Sequence, residues 1–310
     1  MTHVLLANPR GFCAGVERAI AIVEQVLNNF GAPIYVHNHI VHNRRVVGDL
    51  RARGVTFVRD LSEIPDGAVC IFSAHGVARR VVESAEARGL KVFDATCPLV
   101  TKVHIEVARY AQAGMDCIIV GHSGHPEIEG TRGRYDGPGQ VYLVEDVEQA
   151  GAVCVGNPER VGLVSQTTLS VRDTEEIVTV LRRRFPEIAV PRRGDICYAT
   201  QNRQNAVLEL AGRVERLLVV GSPHSSNSNR LCELAEAEGV PAHLIDAVDA
   251  IQPEWLSDVR YLGVTAGASA PETLVQEVLE RLRHLGAERI VEMPGAPERV
   301  RFAMPKELCA

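Results

Sequence analysis

Three of the eight cysteines stand where a thiol could do chemistry. Cys13, Cys97 and Cys197 each lie at or near the predicted start of a helix, where the dipole and free N–H groups stabilise a thiolate. No CxxC pair occurs, which excludes a zinc ribbon and a thioredoxin-like motif. Three thiolates from separate segments suit a metal or a cluster better than a nucleophile with a base. The spacing alone does not decide whether the three thiols share one site.

The remaining informative cysteines have apolar neighbours. Cys70, Cys117 and Cys154 begin or lie inside apolar strand-like runs, and Cys232 lies in a predicted helix. Free cysteine behaves as a small hydrophobic residue in such surroundings. We therefore expect these four thiols to be buried and inert.

Several histidines occupy predicted loops at strand ends. His42 lies in Val-His-Asn, His75 in Ser-Ala-His-Gly, and His125 comes two residues before Glu127 in Gly-His-Pro-Glu. A lone histidine is more often structural, but the glycines beside His75 and His125 let a ligand approach the backbone closely. These loops are therefore candidates for a binding site.

Two clusters of neutral hydrogen-bond donors precede predicted helices, one at 222–229 and one at 265–271. Hydroxyls, amides and backbone N–H groups at helix N-termini form a phosphate-binding arrangement, while simple N-capping is the alternative. No GxxxxGK[ST] or GxGxxG motif occurs, so the sequence does not support a nucleotide P-loop or a dinucleotide fingerprint.

The elements that must position these residues follow one repeated pattern. A short apolar strand leads through a loop of small or polar residues into an amphipathic helix, which predicts an α/β fold with mainly parallel sheets. In such folds ligands bind beyond the carboxyl ends of the strands. The 310 residues are too many for one ordinary core; the length predicts about two domains and also allows three small ones. The best candidate boundaries, near residues 97–98 and 191–194, divide the chain into three α/β segments of similar length, 1–97, 98–193 and 194–285, followed by a C-terminal tail, 286–310, packed on the body.

Composition and charge narrow the class of protein. The net charge of −6 argues against nucleic-acid binding, which needs a basic excess or stripe. No apolar run approaches the roughly 20 residues of a membrane helix, and the N-terminus lacks the features of a signal peptide. We expect a cytoplasmic protein that binds neither nucleic acid nor a membrane.

Taken together, the motifs resemble those of the 4-hydroxy-3-methylbut-2-enyl diphosphate reductase (IspH/LytB) family along nearly the whole chain. The matching segments, in order, are Leu-Leu-Ala-Asn-Pro-Arg-Gly-Phe-Cys-Ala-Gly-Val (5–16), Val-His-Asn (41–43), Phe-Ser-Ala-His-Gly-Val (72–77), Asp-Ala-Thr-Cys-Pro-Leu-Val-Thr-Lys-Val-His (94–104), Gly-His-Pro-Glu (124–127), Gln-Thr-Thr-Leu-Ser (166–170), Ile-Cys-Tyr-Ala-Thr-Gln-Asn-Arg-Gln (196–204), Ser-Ser-Asn-Ser-Asn-Arg-Leu (225–231), Val-Thr-Ala-Gly-Ala-Ser-Ala-Pro (264–271) and Pro-Lys-Glu-Leu (305–308).

The resemblance implies three α/β units arranged with pseudo-threefold symmetry around one central 4Fe–4S cluster. By motif match, Cys13, Cys97 and Cys197 would be the ligands and would leave one iron open. The implied enzyme is an oxidoreductase that converts 4-hydroxy-3-methylbut-2-enyl diphosphate to isopentenyl and dimethylallyl diphosphate, the last step of the non-mevalonate isoprenoid pathway. Reduced ferredoxin or flavodoxin is the electron donor that the family suggests.

The resemblance also assigns the site residues. Glu127 matches the proton donor of the family and Thr167 its partner near the substrate hydroxyl. The residues that match the diphosphate-holding or pocket-lining positions are His42, His75, His125, Ser225, Ser226, Asn227 and Ser269. We also expect His125 to help orient Glu127.

Two other readings compete with the reductase. A hydro-lyase with a three-cysteine cluster would need no electron donor, and a phosphate-binding α/β protein could use the same thiols for zinc. Metal content separates the binding protein from both enzymes, and dependence on a reductant separates reductase from lyase.

Overall fold

The computed structural model describes residues 2–191, 194–295 and 297–308. By their internal contacts these form two compact units. The first unit comprises Met1–Val16, His42–Gly48 and Tyr198–Arg301, and the second comprises Glu17–Val41, Asp49–Cys197 and Phe302–Ala310.

Strands and helices alternate along most of the chain, as the sequence pattern predicts. The strands are β1 (Thr2–Leu6), β2 (Ile34–His37), β3 (Val55–Val58), β4 (Val69–Phe72), β5 (Lys91–Asp94), β6 (Asp116–Val120), β7 (Val141–Val144), β8 (Val161–Ser165), β9 (Arg216–Val220), β10 (Ala242–Ile245), β11 (Tyr261–Ala266) and β12 (Ala287–Glu292). The helices are α1 (Ala14–Phe30), α2 (Arg44–Ala52), α3 (Arg79–Ala87), α4 (Pro98–Gln112), α5 (Pro126–Arg132), α6 (Val147–Ala152), α7 (Val171–Arg184), α8 (Tyr198–Ala211), α9 (Ser226–Ala237) and α10 (Glu272–His284).

The first unit is built on one sheet of order β10-β9-β11-β1-β12, with every neighbouring pair parallel. Its strands are short apolar runs, and their side chains join those of α10 on one face and of α8 and α9 on the other in two buried clusters. Parallel strands covered on both faces read as nearly continuous apolar segments, which is the pattern of β9 and β11.

The second unit contains two parallel sheets, β3-β2-β4-β5 and β7-β6-β8. Apolar clusters cover both: one around β4 and α3, one between β6, β8 and α7, and one under α4. Three parallel sheets confirm the predicted α/β class.

At both ends of the chain, the sheets join strands that the predicted segments place apart. Strand β1 pairs with β11, so the start of segment 1–97 lies in the sheet of segment 194–285. Residues 287–292, predicted as tail, form β12 beside β1. A strand pattern shows that a strand exists but does not name its neighbour, which explains the difference. Arg192 and Arg193, at the second predicted boundary, lie outside the described residues, and the segments as separate units stay a prediction.

In the sequence, Gly31 and Gly89 predict helix ends and Pro98 predicts a helix start, and the helix boundaries follow these signals. Helix α1 ends at Phe30, directly before Gly31, and α3 ends at Ala87, two residues before Gly89; both glycines have positive φ. Pro98 occupies the first position of α4, where its missing N–H is no loss. Among the described helices, none has both the length and the apolar character needed to cross a bilayer.

Candidate active site

The three singled-out cysteines occupy equivalent places in the fold. The backbone N–H of Cys13 donates to Ala268 O at 3.2 Å, that of Cys97 to Ala74 O at 3.0 Å, and that of Cys197 to Thr167 O at 3.0 Å. Each acceptor lies in a loop that follows a parallel strand and carries predicted site residues, and each cysteine directly precedes a helix. This repeated construction places three half-buried thiols, none of them in a disulfide, at helix N-termini.

This donor set fits an iron–sulfur cluster, because such clusters take cysteine thiolates as ligands. Across the described residues, no group of three His, Cys, Asp or Glu side chains is spaced to hold a single metal ion. Cys13 belongs to the first unit, and Cys97 and Cys197 belong to the second.

The other thiols divide less simply than the sequence predicts. Cys70 and Cys117 are completely buried, and burial raises the pKa of each thiol to about 12. Burial likewise raises the pKa of the half-buried Cys232 to about 12. The prediction was wrong for Cys154, which is exposed because it lies in the loop after α6 rather than in a strand.

A buried carboxyl lies at the start of α5 in the second unit. Glu127 is 3 % exposed; its Oε1 accepts the backbone N–H of Thr167 at 2.7 Å, and its Oε2 accepts the Thr167 hydroxyl at 3.0 Å. Burial raises the pKa of Glu127 to about 7, although both Thr167 donors oppose the rise. A carboxyl with this pKa can give up a proton near neutral pH, as a general acid must.

His125 acts on Glu127 through the backbone. As the N-cap of α5, its Nδ1 accepts the N–H of Glu127 at 3.2 Å, which fixes the first turn of the helix. In that assignment Nδ1 carries no proton and Nε2 carries it. The His75 ring lies edge-on to the His125 ring, with centroids 5.8 Å apart. The second unit thus brings His75, His125, Glu127 and Thr167 into two neighbouring pairs.

Gly76 fixes the shape of the His75 loop. Its φ is +77°, and a Cβ there would lie 2.5 Å from Cε1 of the buried His104. We expect Gly76→Ala to lower the free energy of unfolding by about 1–3 kcal/mol through strain and steric clash, measured by urea denaturation. Gly67→Ala is the control, because Gly67 has a similar φ of +73° but a Cβ added there would have no atom within 4 Å beyond its chain neighbours. Equal losses in both variants would refute the role of the clash.

The first unit brings four of its predicted residues close together: three share hydrogen-bond contacts, and the fourth, Asn227, bonds the backbone beside Ser269. Ser269 Oγ donates to His42 O at 3.0 Å and lies 3.5 Å from Ser225 Oγ. Asn227 Oδ1 accepts the N–H of Ala268 at 2.9 Å. Ser226 lies in the first turn of α9 between two of them.

Ser225 caps a helix within the predicted binding cluster. It is the N-cap of α9, where its hydroxyl accepts the N–H of Ser228 at 3.3 Å, so the capping alternative is confirmed for this residue. Ser225, Asn227 and Ser269 are all buried and polar, and their hydrogen-bond contacts join the loop after β9 and the start of α9 to the loop after β11. Neutral donors in this arrangement suit an anionic group at a helix N-terminus.

A model of the LytB protein family matches residues 4–283. The chain belongs to the LytB family.

Two relatives of this LytB chain carry the name of the same enzyme. It is 60 % identical over 308 residues to the 4-hydroxy-3-methylbut-2-enyl diphosphate reductase of Chromohalobacter salexigens, covering 99 % of this chain and 97 % of the relative. It is also 60 % identical over 307 residues to the enzyme of the same name from Hahella chejuensis, covering 98 % and 97 %.

The fold agrees with two solved structures. The E-1-hydroxy-2-methyl-but-2-enyl-4-diphosphate reductase of Plasmodium falciparum superposes with a TM-score of 0.94 at 36 % identity, covering 99 % of this chain and 97 % of that chain. A second structure, that of an (E)-4-hydroxy-3-methyl-but-2-enyl diphosphate reductase, gives a TM-score of 0.64 at 32 % identity and covers 92 % of this chain and 100 % of that chain.

Sequence reasoning missed two charged residues of the LytB chain. Asp195 is buried, accepts the N–H of Ser165 at 3.0 Å and pairs with Lys102 at 3.5 Å; burial raises its pKa, and these two partners oppose the rise. Arg203 is completely buried in α8. A signal for Arg203 existed, since a charged residue interrupts the apolar stripe of Ala199, Ala206, Val207 and Leu210.

Proposed function

We propose that this chain reduces 4-hydroxy-3-methylbut-2-enyl diphosphate to isopentenyl diphosphate and dimethylallyl diphosphate. Membership of the LytB family supports the reaction class. The observation that carries the proposal is Glu127, whose buried carboxyl is held by Thr167 with a pKa of about 7. A reaction that adds two electrons and two protons and releases water needs such an acid.

We further propose that Cys13, Cys97 and Cys197 hold one 4Fe–4S cluster with an open iron position. When bound, this group would pass electrons from an external donor to the substrate and offer a Lewis-acidic position for the substrate hydroxyl. The half-buried thiols and their anchored N–H groups support this assignment. Reduced ferredoxin or flavodoxin is the proposed electron donor, and the cytoplasm is the proposed location.

The residues of the chain would divide the remaining work. Glu127 would donate a proton while Thr167 holds its carboxyl in place. The proposed diphosphate-binding residues are His42, His75, His125, Ser225, Ser226, Asn227 and Ser269. Hydroxyls, an amide and imidazoles can donate to a trianion without leaving a buried lysine or arginine unpaired when the site is empty.

Anaerobic turnover with dithionite as reductant tests the proposal. The two diphosphate products should form only when reductant, substrate and iron-loaded protein are all present. Conversion of the substrate without reductant would favour a hydro-lyase instead. Protein that binds zinc, or no iron after anaerobic reconstitution, would overturn the proposal in favour of a phosphate-binding protein.

The turnover number should fall as pH rises through about 7. Burial raises the pKa of Glu127 to about 7, so the proton-donating form predominates below this pH and is lost above it. The measurement is the turnover number at saturating substrate from pH 6 to 9. In Glu127→Gln the residual rate should lose this decline, and a wild-type rate that rises across the range would contradict the acid role.

A further inference from the structure

Arg203 is a charged side chain that is fully removed from water. A buried guanidinium is tolerated only when its N–H groups are bonded and its charge is balanced. In this protein most of those bonds go to one short segment. Nε donates to Gly11 O at 3.0 Å, and Nη2 donates to Gly11 O at 2.6 Å and to Phe12 O at 3.1 Å. The segment ends at Cys13.

Glu298 balances the charge. Its Oε1 accepts from Arg203 Nη1 at 3.0 Å and its Oε2 accepts from Nη2 at 3.2 Å, the forked geometry that suits guanidinium and carboxylate. Asn202 Nδ2 donates to Glu298 Oε1 at 2.9 Å, so the carboxylate is itself held in place. A residue near the C-terminus thus completes the environment of a loop near the N-terminus.

The opposite side of the same loop is also fixed. Gly11 N–H donates to Ala266 O at 3.1 Å, and Cys13 N–H donates to Ala268 O at 3.2 Å. Gly11 has a φ of +64°, and a Cβ there would lie 3.2 Å from Ala270 O. The loop is therefore held between the strand-end segment after β11 and the Arg203 guanidinium, leaving little freedom for the position of Cys13.

We propose that Arg203, neutralised by Glu298, is a positioning residue for Cys13 and sets how firmly this thiol holds the cluster. The inference rests on the proposed function, in which Cys13 is a ligand. Apolar residues of similar volume often stabilise a fold as well as a buried ion pair does, so stability alone does not account for the pair. Positioning of Cys13 accounts for the pair, because the Arg203 guanidinium donates to the backbone carbonyls that precede this residue.

The test compares Arg203→Lys and Glu298→Gln with Arg88→Lys in reconstituted holoenzyme. Arg88 is a matched control: it also bonds two carbonyls, Leu61 O and Ile64 O, and pairs with Asp66, but it holds no cysteine loop. Iron release to a chelator should be about ten-fold faster in the first two variants, the usual cost of losing a residue that orients a metal ligand. Arg88→Lys should release iron at the wild-type rate.

Alkylation during iron release, mapped by mass spectrometry, separates positioning from general weakening. In Arg203→Lys and Glu298→Gln, Cys13 should be labelled before Cys97 and Cys197. Wild-type iron-release rates in both variants, or equal labelling of the three thiols, would overturn the role of Arg203. Wild-type protein that takes up no iron would overturn the proposed function itself. Glu298→Gln, which alters no backbone contact of Arg203, keeps the test valid if Arg203→Lys fails to fold.

Discussion

Cys197→Ser protein should lose most of its iron after anaerobic reconstitution, about ten-fold or more, whereas Cys70→Ser protein should keep the wild-type content. Cys197 is half-buried, directly precedes α8 and is anchored through its N–H to Thr167 O. A serine hydroxyl does not readily give the anion that replaces a thiolate ligand. Iron and sulfide analysis with a visible spectrum is the measurement.

Cys70 provides a matched control for that substitution. It is completely buried in β4, and burial raises its thiol pKa to about 12, so it cannot supply a thiolate at neutral pH. Cys70→Ser places a hydroxyl in an apolar core and should cost about 1–3 kcal/mol of folding stability without affecting metal content. Equal iron content in the two variants would show that the assignment of ligands is wrong.

Glu127→Gln should keep the cluster and substrate binding, but its turnover number should fall by a factor of about 10²–10⁴, the usual contribution of a positioned general acid. Glutamine has nearly the same shape, and its amide oxygen can accept the N–H of Thr167 that now bonds Glu127 Oε1 at 2.7 Å. It has no acidic proton to give. The loss should therefore appear in the turnover number with little change in KM.

Thr167→Ser is the companion variant for Glu127→Gln. It keeps the hydroxyl that donates to Glu127 Oε2 at 3.0 Å, so it should retain much more activity than Glu127→Gln. The visible spectrum and iron content of both proteins should match those of wild type, which separates loss of the acid from loss of the cluster. Turnover of Glu127→Gln near the wild-type rate would remove Glu127 from the acid role.

Local sequence patterns determined much of the framework. The apolar runs predicted parallel strands such as β6 and β9, and the Gly31 and Pro98 signals predicted the end of α1 and the start of α4. These features depend on residues within one or two turns of each other, so nearby sequence is enough to specify them. The ordered motifs were also sufficient to identify the family.

Long-range pairing was not available from those patterns. β1 and β11 are adjacent in the sheet but lie at opposite ends of the chain, and residues predicted as tail form β12. Periodicity shows that a strand has a buried face, but it does not show which strand lies beside it. Many strands of this chain have the same apolar character and could occupy the position next to β1. Cys154 shows the same limit, since apolar neighbours on the chain did not place it in the core.

The sequence by itself determined which kinds of side chain this protein has for its chemistry and on which loops they lie. Only the tertiary structure decided their properties. The pKa of Glu127 is raised because folding buries it, and Thr167, which holds it, is 40 residues away. Arg203 can be buried beside Gly11 because Glu298 balances its charge from 95 residues away. Desolvation and charge pairing depend on which groups are close in space, and separation along the chain does not show which groups these are.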